Sequence, residues 1–147
     1  MKVRIDSKEE NENEIIIRCK EVNSEVLEIK SLLESRYNKI LGIMEGEKYF
    51  LKPSEIYYIE YVDSKTFAYT KDKIYSISYS LEKLEEFLGG QGFFRCSKSM
   101  ILNINYVEKF KSSMGNRIIA TLDNGENVII SRHYAKILRA YLKEVYE

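Results

Sequence analysis

Residues 117–130 read RIIATLDNGENVII, and this stretch decides the fold class. Two runs rich in Ile, Val and Thr, residues 117–122 and 127–130, flank the sequence Asp123-Asn124-Gly125. β-Branched residues favour strands, and Asn-Gly between two such runs fits a type I′ hairpin turn. The stretch therefore predicts two antiparallel strands joined by a tight turn, the usual building block of a mainly β domain.

The segments around this hairpin extend the same pattern. Residues 56–62 are rich in Ile and Tyr, which predicts a central strand, and further strands are predicted at 40–44, 48–51, 66–70, 73–78, 93–104 and 106–110. Residues 112–116 are predicted as a loop. Ser80 is expected to cap a short helix that ends at Gly89-Gly90, and Ser131 is expected to cap a longer C-terminal helix. The fold class is therefore α+β, predominantly β, with short flanking helices.

The first 41 residues have a different pattern. Apolar residues alternate at Val3 and Ile5, and Ile15-Ile16-Ile17 follows a polar loop over residues 7–13, which predicts two strands. Further apolar residues then recur at helical spacing, with Asn23 or Ser24 available as the cap: Val22, Val26, Ile29 and Leu33. We therefore predict a strand–strand–helix piece before the β domain.

The composition argues against catalysis and metal binding. His133 is the single imidazole, and no nucleophile or carboxylate stands close to it in the sequence. The two cysteines, Cys19 and Cys96, form neither a CxxC pair nor a disulfide framework. We expect no enzymatic activity, no metal, no cofactor and no small-molecule substrate.

The hydropathy pattern argues against a membrane protein. The apolar runs are far shorter than the roughly 20 residues that span a bilayer. Residues 1–11 contain no hydrophobic stretch of the kind found in secretory signals. We therefore expect a cytoplasmic protein.

The formal net charge of zero conceals an uneven distribution. The net charge is −3 over residues 1–47, −1 over 48–92 and +4 over 93–147. Short polar residues accompany the basic ones in the last third, and this mixture suits DNA because Lys and Arg neutralise phosphates while hydroxyls and amides fix the register. Asn and Arg can also pair with the edges of adenine and guanine. The alternative interpretation is a solvated surface with ordinary helix caps.

Three motifs, in the order found here, resemble the LytTR family of DNA-binding domains. They are residues 93–103 (FFRCSKSMILN), residues 123–126 (DNGE) and residues 129–134 (IISRHY). The family typically shows Phe-x-Arg-x-His-Arg-Ser, three apolar residues and Asn, followed by a Gly-containing turn and an apolar-Ser-Arg motif that opens the last helix. Residues 56–65 are also similar to the family's first long strand and DNA-facing loop. The resemblance covers roughly residues 42–145.

The resemblance implies an elongated antiparallel β fold that meets DNA through loops and strand ends. Three residues would contact base edges: Asn103, Arg132 and Thr66. Others would contact phosphates or fix the register: Ser64, Lys65, Lys98, Ser99, Ser131, His133 and Lys136. The sequence departs from the family at Ser97 and Lys98, which replace the usual His-Arg, and at Thr66, where the family often has His or Arg. Arg95 is either a DNA contact or a structural ion-pair partner.

The resemblance also bears on domain organisation. About 40 residues precede the matching region, too few for the receiver domain to which the family is commonly fused. The chain thus resembles stand-alone members, whose genes often neighbour one for a small membrane protein, a candidate partner for signal input. We expect residues 1–41 to form an extension that either pairs two protomers or caps the β core, and residues 42–147 to form the DNA-binding domain.

These observations favour one function over a rival. We expect a bacterial transcriptional regulator that binds specific double-stranded DNA sequences as a homodimer. The rival is a protein-interaction module that keeps the fold but does not bind DNA. Its interface would be the tyrosine-rich segment 57–61, because tyrosine is common at protein interfaces.

Overall fold

The computed structural model describes residues 1–9, 13–37 and 39–147, which divide into two compact units, Met1–Glu34 and Ser35–Glu147. The first unit contains most of helix α1 (Ser24–Tyr37). The backbone N–H of Val26 donates a hydrogen bond to the side-chain oxygen of Asn23 (3.0 Å). Asn23 therefore caps this helix, in agreement with one of the two predicted alternatives.

The prediction of two strands before α1 is wrong. The described residues among the first 23 form no strand, and the side chains of Val3 and Ile5 are more than 90% exposed. A two-stranded ribbon that is not packed against other elements is at best marginally stable in water. An alternating pattern of apolar and polar residues is therefore not enough to form a strand here. The predicted polar loop at 7–13 includes residues 10–12, which lie outside the described residues.

The second unit contains antiparallel strands in two sheets, and its elements follow in chain order. They are β1 (Ile40–Met44), β2 (Glu47–Leu51), β3 (Tyr58–Val62), β4 (Lys65–Tyr69), β5 (Ile74–Ile77), α2 (Leu81–Phe87), β6 (Phe93–Ser97), β7 (Met100–Asn103), β8 (Val107–Ser113), β9 (Arg117–Leu122), β10 (Asn127–Ile130) and α3 (Arg132–Tyr146). One sheet has the order β2-β1-β5-β4-β3-β7-β6 and the other β10-β9-β8. The predicted α+β, predominantly antiparallel fold class is confirmed.

Both predicted helices of this unit begin as expected. The side-chain oxygen of Ser80 accepts a hydrogen bond from the backbone N–H of Lys83 (3.2 Å) at the start of α2. Gly89 and Gly90 follow the end of this helix, and Gly90 has a positive φ of 78°. Ser131 occupies the N-terminal cap position of α3, but its side chain forms no capping hydrogen bond. The sequence therefore located both helix starts, and the side-chain cap itself forms at Ser80.

Several predicted boundaries in the last third differ from the structure. The single stretch predicted at residues 93–104 is a hairpin, because β6 and β7 are antiparallel and Lys98-Ser99 forms the turn between them. Strand β8 extends to Ser113, so the predicted loop shrinks to a 3₁₀ turn at Met114–Asn116. A hairpin turn occupies so few residues that exposed polar residues inside a strand-like run do not reveal it.

The turn at Asp123-Asn124-Gly125 has a different type from the one predicted. Only Gly125 has a positive φ there (88°), and its backbone N–H donates to the carbonyl of Leu122 (3.0 Å). This is a three-residue connection with glycine in the left-handed position, not a type I′ turn. Positive φ at both central residues occurs instead at Glu45-Gly46 and Asp63-Ser64.

Two apolar clusters lie on either side of the seven-stranded sheet. One cluster packs α2 against the sheet through Leu81, Leu84 and Leu88, all buried. The other joins the second sheet and α3 to β6 and β7, and its members include Cys96, Leu102, Ile130 and Leu138. This second cluster fixes the start of α3 next to β6, which matters for the site described below.

Candidate nucleic-acid interface

The first predicted contact region is the turn between β3 and β4. Asp63 and Ser64 occupy its central positions with φ of 51° and 63°. Ser64 and Lys65 are exposed. Short polar side chains tolerate this backbone conformation best, so the turn projects polar groups into solvent.

The second predicted contact region is the turn between β6 and β7, where Lys98 and Ser99 are exposed. The guanidinium of Arg95 stabilises this turn: its Nε donates to the carbonyl of Ser97 (2.7 Å), and an Nη donates to the carbonyl of Lys98. The other Nη forms an ion pair with Glu85 of α2. Arg95 is therefore a structural residue, which decides between the two roles considered for it.

Backbone hydrogen bonds bring the three predicted regions together. The N–H of Tyr61, near the end of β3, donates to the carbonyl of Ser99 (2.7 Å). The N–H of Ser131 donates to the carbonyl of Cys96 in β6 (3.0 Å). The β3–β4 turn, the β6–β7 turn and the start of α3 thus lie side by side, although 67 positions separate Ser64 from Ser131 in the sequence.

Helix α3 turns one basic face to solvent. Arg132, Lys136 and Arg139 recur at intervals of four and three residues and are all exposed. On the other face, Ala135 and Leu138 are fully buried in the core. Because residues spaced by three and four lie on one side of a helix, the cations are grouped and face away from the core.

The basic face borders a groove of about 510 Å³. Its lining consists of Asn116, Arg132, His133, Lys136 and Arg139. The Nε of Arg132 donates to the carbonyl of Gly115 (3.2 Å), and an Nη of Arg139 donates to the carbonyl of Asn116 (3.3 Å). The two arginines therefore fix the turn between β8 and β9 against α3. Arg132, Lys136 and Arg139 make the lining of the groove positively charged.

Tyr57 and Tyr58 connect the seven-stranded sheet to the three-stranded sheet. A hydrogen bond to Asp123 is the main reason that the pKa of Tyr57 is raised to about 12. Burial, followed by a hydrogen bond to Glu126, raises the pKa of Tyr58. The ring of Tyr57 also stacks on that of Tyr106, with centroids 4.0 Å apart. These contacts anchor the β9–β10 turn to β3 and so hold the strands that carry α3.

Comparison with known proteins identifies this arrangement. Residues 46–143 match the model of a family described as the LytTr DNA-binding domain, and this span includes all three contact regions. The chain belongs to the LytTr DNA-binding domain family. The predicted resemblance is confirmed, and the match is to a family of DNA-binding domains rather than to a family of enzymes.

Curated relatives and a solved structure agree with this assignment. The transcriptional regulatory protein YpdB of Escherichia coli (strain K12) is 28% identical over 107 residues, which cover 71% of this chain but only 44% of YpdB. An HTH-type transcriptional regulator of Staphylococcus aureus (strain NCTC 8325 / PS 47) is 25% identical over 90% of this chain and 91% of its own length. A solved LytTr DNA-binding domain from Bacillus cereus is similar with a TM-score of 0.68 and 27% identity, over 71% of this chain and 95% of that one.

The LytTr structure requires a correction for two residues expected to contact base edges. Asn103 is 1% exposed: its Nδ2 donates to the carbonyl of Ile56 (2.9 Å) and its Oδ1 accepts from the N–H of Asn105 (3.0 Å). Thr66 is 6% exposed, and its hydroxyl donates to the carbonyl of Tyr79 (3.0 Å). Both side chains form hydrogen bonds to backbone groups of the protein itself. These two motif positions therefore stabilise the fold.

The other predicted contact residues of the LytTr domain are accessible. Ser131 is half-buried. The other seven are exposed, namely Ser64, Lys65, Lys98, Ser99, Arg132, His133 and Lys136. Sequence reasoning did not include Arg139 or Asn116 among the site residues. The spacing of Arg132, Lys136 and Arg139 was the available signal for the first, and the Gly-Asn pair at 115–116, typical of a turn, was the signal for the second.

Two kinds of chemical group remain to be placed in the LytTr domain, the side chains that could hold a metal ion and the thiol of Cys96. Across residues 1–9, 13–37 and 39–147, no group of His, Cys, Asp and Glu side chains is placed to hold a metal ion. Cys96 is buried, and burial raises the pKa of its thiol to about 12, so the reactive thiolate is scarce near neutral pH. No helix in the described part of the chain is long and apolar enough to cross a membrane.

Proposed function

We propose that this LytTr domain is a transcriptional regulator that binds specific sequences of double-stranded DNA. The observation that carries the proposal is the position of three separate regions side by side, as their backbone hydrogen bonds require, with the exposed cations Lys65, Lys98 and Lys136. Phosphate contacts would come from these lysines and from Arg139, and Arg132 would contact a base edge. Ser64, Ser99, Ser131 and His133 would fix the register. We propose that it acts in the cytoplasm, where its DNA is found.

The rival protein-interaction function has less support. Tyr57 is 4% exposed and stacks on Tyr106, while Tyr58 stacks on Tyr69 with centroids 4.3 Å apart. Tyr61 is the exposed member of the segment. Tyr57 and Tyr58 therefore stabilise the fold, and Tyr61 is the tyrosine of this segment whose surface is open to a partner protein.

Salt dependence tests the proposed function directly. A preferred duplex is first enriched from random DNA, and binding is then titrated by fluorescence anisotropy at several salt concentrations. With about 5–8 phosphates neutralised per protomer, log affinity should fall with log salt at a slope of roughly −4.5 to −7. A flat response, or recovery of a protein partner and no enriched DNA, would reject DNA binding in favour of the rival.

We propose further that residues 1–41 form an extension that pairs two copies of the chain, with residues 42–147 as the DNA-binding domain. Helix α1 supports this, because Val26, Ile29 and Leu33, with Val22 just before the helix, follow the four-three-four spacing of helices that pair along one seam. Val22 just before the helix is 69% exposed, and Val26, Ile29 and Leu33 within it remain partly exposed. Two linked domains bind two half-sites more tightly than either alone. A small membrane protein is the proposed source of the input signal.

Ile29→Asp is expected to convert a dimer into a monomer, because a carboxylate in the apolar seam would be buried without a partner. Sedimentation equilibrium of the full chain measures this. Glu25→Gln, a change at an exposed position of the same helix, serves as the control and should remain dimeric. A wild-type chain that sediments as a monomer at micromolar concentration would contradict the proposal.

A further inference from the structure

Asn116 presents an amide side chain at the basic groove. The residue is exposed, and it lines the groove together with Arg132, His133, Lys136 and Arg139. Among the described residues, the amide of its side chain forms no hydrogen bond, whereas that of Asn103 donates to the carbonyl of Ile56 and accepts from the N–H of Asn105. An amide that the fold does not employ is available to a ligand in the groove.

The backbone that carries this amide is anchored to α3. The carbonyl of Asn116 accepts from Arg139 (3.3 Å), and that of Gly115 accepts from Arg132 (3.2 Å). Gly115 and Asn116 have φ of 70° and 58°, a left-handed conformation that asparagine adopts more readily than most residues. The turn is thus anchored to the same helix that supplies the cations, and the backbone position from which the amide extends is fixed relative to α3.

We propose that Asn116 is a specificity-determining residue that contacts the edge of an adenine next to the base contacted by Arg132. The inference rests on the proposed function. An amide carries no charge and does little to neutralise phosphates, which the neighbouring Lys136 and Arg139 can do. It offers one donor and one acceptor in the plane that matches adenine N7 and N6. Asn116 thereby takes the role that the motif comparison gave to Asn103.

The test is Asn116→Gly, which removes the amide and keeps a residue that accepts positive φ without strain. On the duplex enriched by the wild type, affinity should fall by about 5- to 150-fold, the usual range for losing a bidentate base contact. On random duplex DNA, affinity should be unchanged. Enrichment by the variant should lose one adenine preference and retain the others.

A modified duplex supplies the matched control. Replacing that adenine with 7-deazaadenine removes the N7 acceptor, so it should weaken the wild type but leave Asn116→Gly unaffected. If wild type and Asn116→Gly bind the enriched duplex equally, and the melting temperature of the protein is unaltered, the inference is overturned. Asn116 would then serve only to form the turn. If instead the wild type enriches no DNA, the proposed function itself fails and the inference falls with it.

Discussion

Replacing Arg132 with alanine is expected to weaken binding to the preferred duplex by about 5- to 150-fold, which corresponds to about 1–3 kcal/mol. Arg132 is exposed at the start of α3, and its Nε is held by the carbonyl of Gly115 (3.2 Å). The remaining guanidinium nitrogens form a planar fork whose direction the turn fixes. Such a fork can bond two acceptors of guanine at once, so its loss removes a base contact as well as a charge.

The controls for Arg132 separate charge from geometry. Arg132→Lys retains the positive charge but not the fork, so it should recover binding to random DNA and little of the sequence preference. Lys143→Ala removes a cation near the other end of α3 and should change the preferred-site affinity much less. Anisotropy titrations on enriched and random duplexes measure both. An equal loss on the two duplexes for Arg132→Ala would make Arg132 a phosphate contact.

Replacing Asn103 with alanine is expected to lower the free energy of unfolding by about 2–4 kcal/mol. The substitution leaves the carbonyl of Ile56 and the N–H of Asn105 without their hydrogen-bond partners. The Ile56 carbonyl is buried, and leaving it unsatisfied costs about 1–3 kcal/mol, while losing the bond to the N–H of exposed Asn105 adds about 0.5–1.5 kcal/mol. Asn103 is 1% exposed, so water cannot replace the lost amide without opening the core.

Urea denaturation measures the stability change, and DNA titration of the folded fraction measures the separate effect on binding. Asn105→Ala is the matched control, because Asn105 is exposed and its side chain makes a longer hydrogen bond to Gln91 (3.3 Å). Its expected cost is below about 1 kcal/mol, as for most surface substitutions. A variant at Asn103 with unchanged stability and a large loss of affinity would restore the base-edge role.

The predictability of the fold varied with the range of the interactions that decide it. The helix starts at Ser80 and Ser131 depend on neighbouring residues, and both were predicted. The strands expected around Val3 and Ile15 needed partners that the surrounding residues do not supply, and they do not form. The turn at Lys98-Ser99 depends on Arg95 and on Glu85 of another element, so its exact place could not be deduced from local pattern.

The candidate site was also predictable only in part, according to the range of the interactions that form it. Motif order located the three regions, and their joint position at one surface follows from pairings such as Tyr61 with Ser99, which are long-range. Motif position did not distinguish an amide in the core from one at the surface. Asn103 and Asn116 have the same chemistry, but the first is buried and the second is exposed.

The sequence by itself determined the fold class, the starts of the helices and the excess of positive charge in the last third. These features depend on local propensity, on the period of apolar residues and on composition, all of which are properties of short segments. Only the tertiary structure decided which polar side chains face solvent. Hydrogen bonds between distant segments, such as that from Asn103 to Ile56, bury some of these groups and leave others, such as the amide of Asn116, exposed at the surface.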